Sequence, residues 1–103
     1  MAWIFLIFAG LLEVVWSFAM KASEGFTRLV PTTITLAAML ASVGLLSSSM
    51  RTLPLSTAYT VWTGIGAVGA FAVGVIALGE PLGLLRLTAA VLIVTGLVLM
   101  KLA

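Results

Sequence analysis

A single acidic residue, Glu13, lies in the middle of the first long apolar stretch of the chain. An ionised carboxylate at the centre of a membrane costs about 2.5–3.5 kcal/mol on insertion scales, so such a residue faces protein or water. Its neighbours one helical turn away are Ala9, Gly10, Trp16 and Ser17. A buried acid beside small residues, an indole and a hydroxyl predicts a binding site for a proton or a cation. A hydrogen bond that only joins two helices is the plainer alternative.

A second polar and aromatic face lies in the third apolar stretch, where Tyr59, Trp62 and Gly66 follow one another at helical steps of three and four. Aromatic rings can sandwich a planar cation, and a phenol or indole donor can hold a carboxylate in one orientation. This face is therefore suited to meet Glu13. In the second stretch, Ser42 is the most central hydroxyl.

Small residues in the last two stretches indicate close helix contacts and a flexible point. The third stretch holds five of the ten glycines, and Gly64-Ile65-Gly66 predicts a bend that suits an alternating-access motion. In the last stretch, Ala89 and Gly96 are seven residues apart, a spacing typical of a tightly packed helix interface.

Several kinds of chemistry are excluded by residues that the chain lacks. It has no cysteine and no histidine, which removes thiolate chemistry, disulfides and the commonest metal ligand. No nucleophile–base pair and no phosphate-binding loop is present, so we expect neither an enzyme nor a cofactor or metal. The five basic residues form no stripe, which argues against nucleic acid. Any proton transfer must use a carboxylate.

The composition requires lipid as the solvent for most of the surface. Only 8% of the 103 residues are charged and 63% are hydrophobic, far too little polar surface for a soluble domain of this size. Four apolar stretches long enough to cross a bilayer as helices predict an all-α, single four-helix transmembrane domain over residues 1–103. The expected helices run from about Ala2 to Met20, Leu29 to Met50, Leu55 to Gly79 and Leu84 to Leu102.

The connections are short, so consecutive helices must be antiparallel and the activity must reside between helices or between subunits. One side of the membrane then carries Arg51 and Lys101, and the other carries Lys21, Arg28 and Arg86. A bias of one positive charge orients a chain only weakly. Insertion in both orientations follows, and two copies of opposite orientation can pair as an antiparallel homodimer.

Three segments resemble the small multidrug resistance family, and the similarity covers essentially the whole chain. They are GLLEVVW (residues 10–16), KASEGFTR (residues 21–28) and YTVWTGIG (residues 59–66). The EVVW and WTGIG motifs resemble the guanidinium-exporter subtype of that family. Exporters of polyaromatic cations typically have a small residue where Trp16 stands, which leaves them a wider pocket.

The resemblance implies a dual-topology antiparallel homodimer in the bacterial inner membrane that exchanges protons for guanidinium. In that reading, Glu13 binds both proton and substrate, and Trp16, Ser42, Tyr59 and Trp62 line the site. Ser42 and Trp62 are expected to orient Glu13 by hydrogen bonding.

The resemblance also gives the small residues their roles. Gly64 and Gly66 would form the helix bend, and Ala89 and Gly96 would pack at the dimer seam. The family often has a second glycine in the last helix where this chain has Ala89, and one added methyl group should loosen the seam only slightly.

Three other functions remain open from the residues. The first is export of quaternary ammonium or other drug cations, although Trp16 argues against this by filling the pocket. The second is a non-transporting membrane subunit in which Glu13 pairs with a partner, although such a role does not require Tyr59 and Trp62. A proton leak is the third, and the lack of a continuous polar stripe argues against it.

Overall fold

The chain folds into four long helices, and the computed structural model describes all of residues 1–103. The helices are α1 (Ala2–Ala22), α2 (Leu29–Ser49), α3 (Leu55–Ala77) and α4 (Leu84–Leu102). Their lengths of 19 to 23 residues correspond to about 28–35 Å, close to the ~30 Å hydrocarbon thickness of a bilayer. All four are long and apolar enough to cross a membrane. The predicted all-α membrane fold is confirmed.

The helix ends differ by one or two residues from those expected from hydropathy. Helix α1 continues to Ala22 because Lys21 is favourable in a last turn, where the helix dipole attracts cations. Helix α2 stops at Ser49, one residue earlier than expected. Helix α3 ends at Ala77 because Gly79 adopts a left-handed conformation with φ +67°.

The first loop is a tight turn built on Ser23, which is fully buried. Its hydroxyl donates to the Met20 carbonyl at 2.6 Å and accepts from the Phe26 amide at 3.0 Å. Glu24, Gly25 and Phe26 all have positive φ, at 50°, 76° and 67°. Glu24 points into solvent, where it pairs with Arg28 at 3.3 Å.

The helices form a flat layer rather than a closed bundle. Helix α1 is central and packs against both α2 and α3, whereas α4 packs against α3 alone among the helices. The Lys101 ammonium of α4 also lies 5.3 Å from the centre of the Trp3 ring on α1. The chain measures 40 × 34 × 16 Å, so its smallest dimension is less than half of either of the others.

The interior is correspondingly small. Only 15 of 103 residues are buried, and α4 contributes none of them. The apolar core consists of a few small and medium side chains where α1, α2 and α3 meet: Leu6, Ala9, Leu46, Ala58 and Val61. Most apolar side chains therefore face outwards, towards lipid or another protein chain.

Helices α1 and α3 run parallel and approach closely where glycines remove the side chains between them. A methyl group at Gly10 would come within 2.5 Å of the Ile65 side chain. One at Gly69 would overlap Val14. These close contacts fix the register of α1 against α3, which in turn determines what lies opposite Glu13.

The close contact between α1 and α3 predicts a difference between two glycine-to-alanine variants. Gly10→Ala and Gly44→Ala both gain the same helix propensity, but only Gly10 lacks room for a methyl group, since a Cβ at Gly44 has nothing within 4 Å. We expect Gly10→Ala to be less stable than Gly44→Ala by about 1–3 kcal/mol, the usual range for overpacking. Reversible unfolding in detergent measures the difference, and equal stabilities would contradict the contact.

Candidate functional site

Glu13 lies halfway along α1 and faces α3. Its carboxyl group rests directly on the backbone at Gly66, where a Cβ would overlap the carboxyl. Gly66 is buried, and Glu13 is half-buried. Both other acidic residues lie in loops, so Glu13 is the only acid within a helix.

Two buried polar atoms at this position have no hydrogen-bond partner in the chain, Glu13 Oε1 and Trp16 Nε1. They belong to residues one helical turn apart on the same face of α1. A buried carboxylate oxygen and a buried indole donor are each costly to leave unsatisfied. Unpaired groups of this kind are typical of a binding site, where a ligand supplies the missing partners.

Beside Glu13, a hydrogen-bonded link centred on Ser42 joins α1, α2 and α3. The Ser42 hydroxyl, fully buried, donates to the Ala9 carbonyl at 2.6 Å. It accepts from Trp62 Nε1 at 3.0 Å. Ala9 is one turn before Glu13 on α1, so the link fixes the helices on either side of the carboxylate.

The expected hydrogen bonds from Ser42 and Trp62 to Glu13 are not present in this structure. Each side chain has only one proton to donate. Ser42 uses its proton on Ala9, and Trp62 uses its proton on Ser42. In this structure neither side chain donates a hydrogen bond to Glu13, and their link to α1 is the Ala9 carbonyl.

The remaining aromatic residue of the predicted site, Tyr59, packs against Trp62 with ring centroids 5.6 Å apart and planes inclined by 46°. More than half of its surface is exposed. It lines an open groove of about 480 Å³ between α3 and α4, together with Thr63 and Gly96. The structure thus connects Tyr59, Trp62 and Ser42 in one chain of contacts.

The residues predicted to form the helix bend and those predicted to form the dimer seam lie in different surroundings. Helix α3 is α-helical through Gly64 and Gly66, so their bending role remains a prediction. Gly64 is where α4 approaches, since a Cβ there would overlap Leu97. Ala89 and Gly96 are both exposed. A Cβ at Gly96 would have nothing within 4 Å.

Two contacts at the site were not foreseen from the residues. One is the Ala9 carbonyl as the acceptor for Ser42, which has no side-chain signal at all. The other is the hydrogen bond from Trp62 to Ser42, since both residues were expected to bond to Glu13. The contact of Glu13 with Gly66 agrees with the expected meeting of Glu13 and the polar face of α3.

Four membrane-spanning helices, with one mid-span carboxylate between α1 and α3, define a small multi-pass membrane protein. The chain belongs to the family described as Small Multidrug Resistance protein, whose sequence profile matches residues 1–102. It is therefore a multi-pass protein of the bacterial inner membrane and a member of a transport family, not an enzyme.

Relatives of known function are similar over their full length. A protein of Citrobacter freundii named guanidinium exporter is 55% identical over 103 residues, covering 100% of this chain and 98% of its own. Guanidinium exporters of Yersinia pseudotuberculosis and Escherichia coli K12 are 54% and 52% identical over the same length, with 99% and 98% of their own chains covered.

The Ser42 link predicts the effect of removing one hydroxyl. Ser42→Ala leaves the Trp62 indole without its acceptor and removes the donor to Ala9, whereas Ser47→Ala changes an exposed hydroxyl of the same helix. We expect Ser42→Ala to cost about 0.5–2 kcal/mol of stability and to shift the Trp62 indole proton resonance. An unchanged indole resonance in Ser42→Ala would contradict the link, and Ser47→Ala should resemble the wild type.

Proposed function

We propose that this chain exports guanidinium in exchange for protons, with the Glu13 carboxylate binding each in turn. The observation that carries the proposal is the partnerless, buried Glu13 Oε1 in the middle of a membrane-spanning helix. Relatives that are more than half identical over the whole chain are named guanidinium exporters, which supports the choice of substrate.

The chemistry of guanidinium suits this site. The ion is planar, stays charged at neutral pH and offers parallel N–H donors that match both oxygens of a carboxylate. Its weak hydration lowers the cost of moving it to a buried position, and its flat face stacks on an aromatic ring. Glu13 provides the carboxylate, and Trp16 provides a ring one helical turn away on the same face.

Exchange then requires only that the two ligands exclude one another. A protonated Glu13 has lost the charge that binds guanidinium, and a Glu13 paired with guanidinium resists protonation. Proton binding from one side therefore releases the cation to the other side, provided that the site opens to one side at a time. Tyr59, Trp62 and Ser42 line the path in this proposal, and α3 moves at its glycines.

The transporting unit in this proposal is an antiparallel homodimer of chains in opposite orientations. Three features support it: the flat helix layer, the absence of any buried residue in α4, and the weak charge bias of the loops. Ala89 and Gly96 on α4 would pack against the second copy, where open space at Gly96 admits a close helix contact. Each dimer would bring two Glu13 carboxylates to one central site.

Replacing the carboxylate by its amide tests the proposal. Glu13→Gln keeps the size of the side chain but cannot carry the charge, so we expect coupled guanidinium and proton movement in proteoliposomes to fall at least about a hundredfold. Glu24→Gln, which removes an exposed loop charge, should retain transport within about twofold.

The outcome also separates the proposal from its competitors. Tetraethylammonium serves as the comparison cation, because Trp16 should exclude its bulk. Faster exchange of tetraethylammonium than of guanidinium would contradict the substrate, and a silent wild type with both cations would contradict transport itself.

A further inference from the structure

A cleft lies between the C-terminal ends of α1 and α3, away from Glu13. It has a volume of about 210 Å³, and five of its nine lining residues are hydrophobic. The others include Ser17 and Lys21 from α1, Gly74 from α3, and Glu80 from the loop that follows α3. Ser17 shares the helix face of Glu13, whereas Lys21, Gly74 and Glu80 do not belong to the site described above.

This cleft continues the seam between α1 and α3 on which Glu13 lies. Ser17 and Lys21 follow Glu13 at steps of four, on the same face of α1. They lie about 6 Å and 12 Å further along the helix axis. On α3, Gly74 is two turns beyond Gly66, also about 12 Å along the axis. A cation that leaves the membrane surface along this seam would meet the cleft first and Glu13 second.

One apolar contact separates the two positions. The Val14 side chain lies against Gly69, so closely that a Cβ at Gly69 would overlap it. Val14 also lines the inner end of the cleft. Where Val14 meets Gly69, α1 and α3 are in contact between the cleft and Glu13 in this structure, and a shift of α3 against α1 would separate them.

The cleft offers oxygen atoms that suit a cation with N–H donors. The Glu80 carboxyl group lies over Gly74, where any Cβ would displace it, and the Glu80 amide donates to the Gly74 carbonyl at 3.0 Å. The Ser17 hydroxyl gives its only proton to the Val14 carbonyl at 2.9 Å. It can therefore only accept further hydrogen bonds.

The charges around Glu80 leave its carboxylate free for a ligand. The one salt bridge in the chain joins Arg28 to Glu24, and Lys21 does not pair with Glu80 although both line the cleft. Lys21 is the charged group that faces the cleft from α1, and it acts there as a competitor for Glu80. The volume is sufficient, since a water occupies about 30 Å³ and guanidinium has four heavy atoms.

We propose that this cleft is an outer binding site for guanidinium, with Glu80 as its carboxylate ligand and Val14 as the barrier between it and Glu13. The inference rests on the proposed function and adds a second, water-exposed position on the path. An exposed carboxylate at the mouth of a seam raises the local concentration of a cation and so lowers the concentration needed for half-maximal transport. In an antiparallel dimer, each membrane face would have one such cleft.

The test measures initial guanidinium transport against concentration in proteoliposomes at about 0.15 M ionic strength, where exposed charges more than ~8 Å apart are largely screened from one another. For Glu80→Gln we expect the half-saturating concentration to rise about three- to fivefold, with the maximal rate within about twofold of wild type. For Lys21→Gln we expect the half-saturating concentration to fall about two- to threefold, because a competing cation is removed. Glu24→Gln changes the charge at the same membrane face and should alter neither value by more than about 1.5-fold.

Opposite shifts of the half-saturating guanidinium concentration in Glu80→Gln and Lys21→Gln would identify an outer site. An unchanged half-saturating concentration in Glu80→Gln would overturn it, and so would equal effects of Glu80→Gln and Glu24→Gln. Shifts in the same direction for Glu80→Gln and Lys21→Gln would also overturn it, because they would indicate an ion pair that only closes the cleft. If wild type transports guanidinium in this assay, any of these results overturns the outer site alone. If wild type does not transport guanidinium, the proposed function and the outer site are overturned together.

Discussion

The high cost of an ionised carboxylate in the apolar interior of a membrane is the constraint on which the site depends. Glu13 lies at the middle of α1 and is the only acid in any helix. Such a group is retained only where protein, water or a ligand compensates its charge. The chain supplies little of that compensation itself, because Glu13 Oε1 and Trp16 Nε1 have no partners within it. In the proposed function, an exchangeable cation or proton supplies that compensation.

Close helix contact is the second requirement, and glycine provides it. Gly10, Gly66 and Gly69 bring α3 against α1 so closely that Glu13 and Val14 lie on bare backbone. The Ser42 link then holds α2 to both helices. Since α4 packs mainly against α3, a movement of α4 against a second copy would act first on α3, the wall opposite Glu13.

Hydropathy and helical spacing predicted much of this architecture but not its contacts. The four helices and the central position of Glu13 followed from runs of apolar residues. The helix ends did not, because Lys21 and Gly79 act through local dipole and turn geometry. The Ser42–Trp62 bond was missed because α2 is apolar on nearly every side. Its rotation about its own axis is set by packing, so the sequence does not say which residue of α3 lies opposite Ser42.

Competition between guanidinium and protons for Glu13 is the central claim, and proton release measures it most directly. Guanidinium is added to the purified protein in weakly buffered detergent, and the pH change is followed with an indicator dye. The account predicts that wild type releases protons as guanidinium saturates its site, and that Glu13→Gln releases none. Saturable guanidinium binding to wild type without proton release, across the range in which transport occurs, would contradict it.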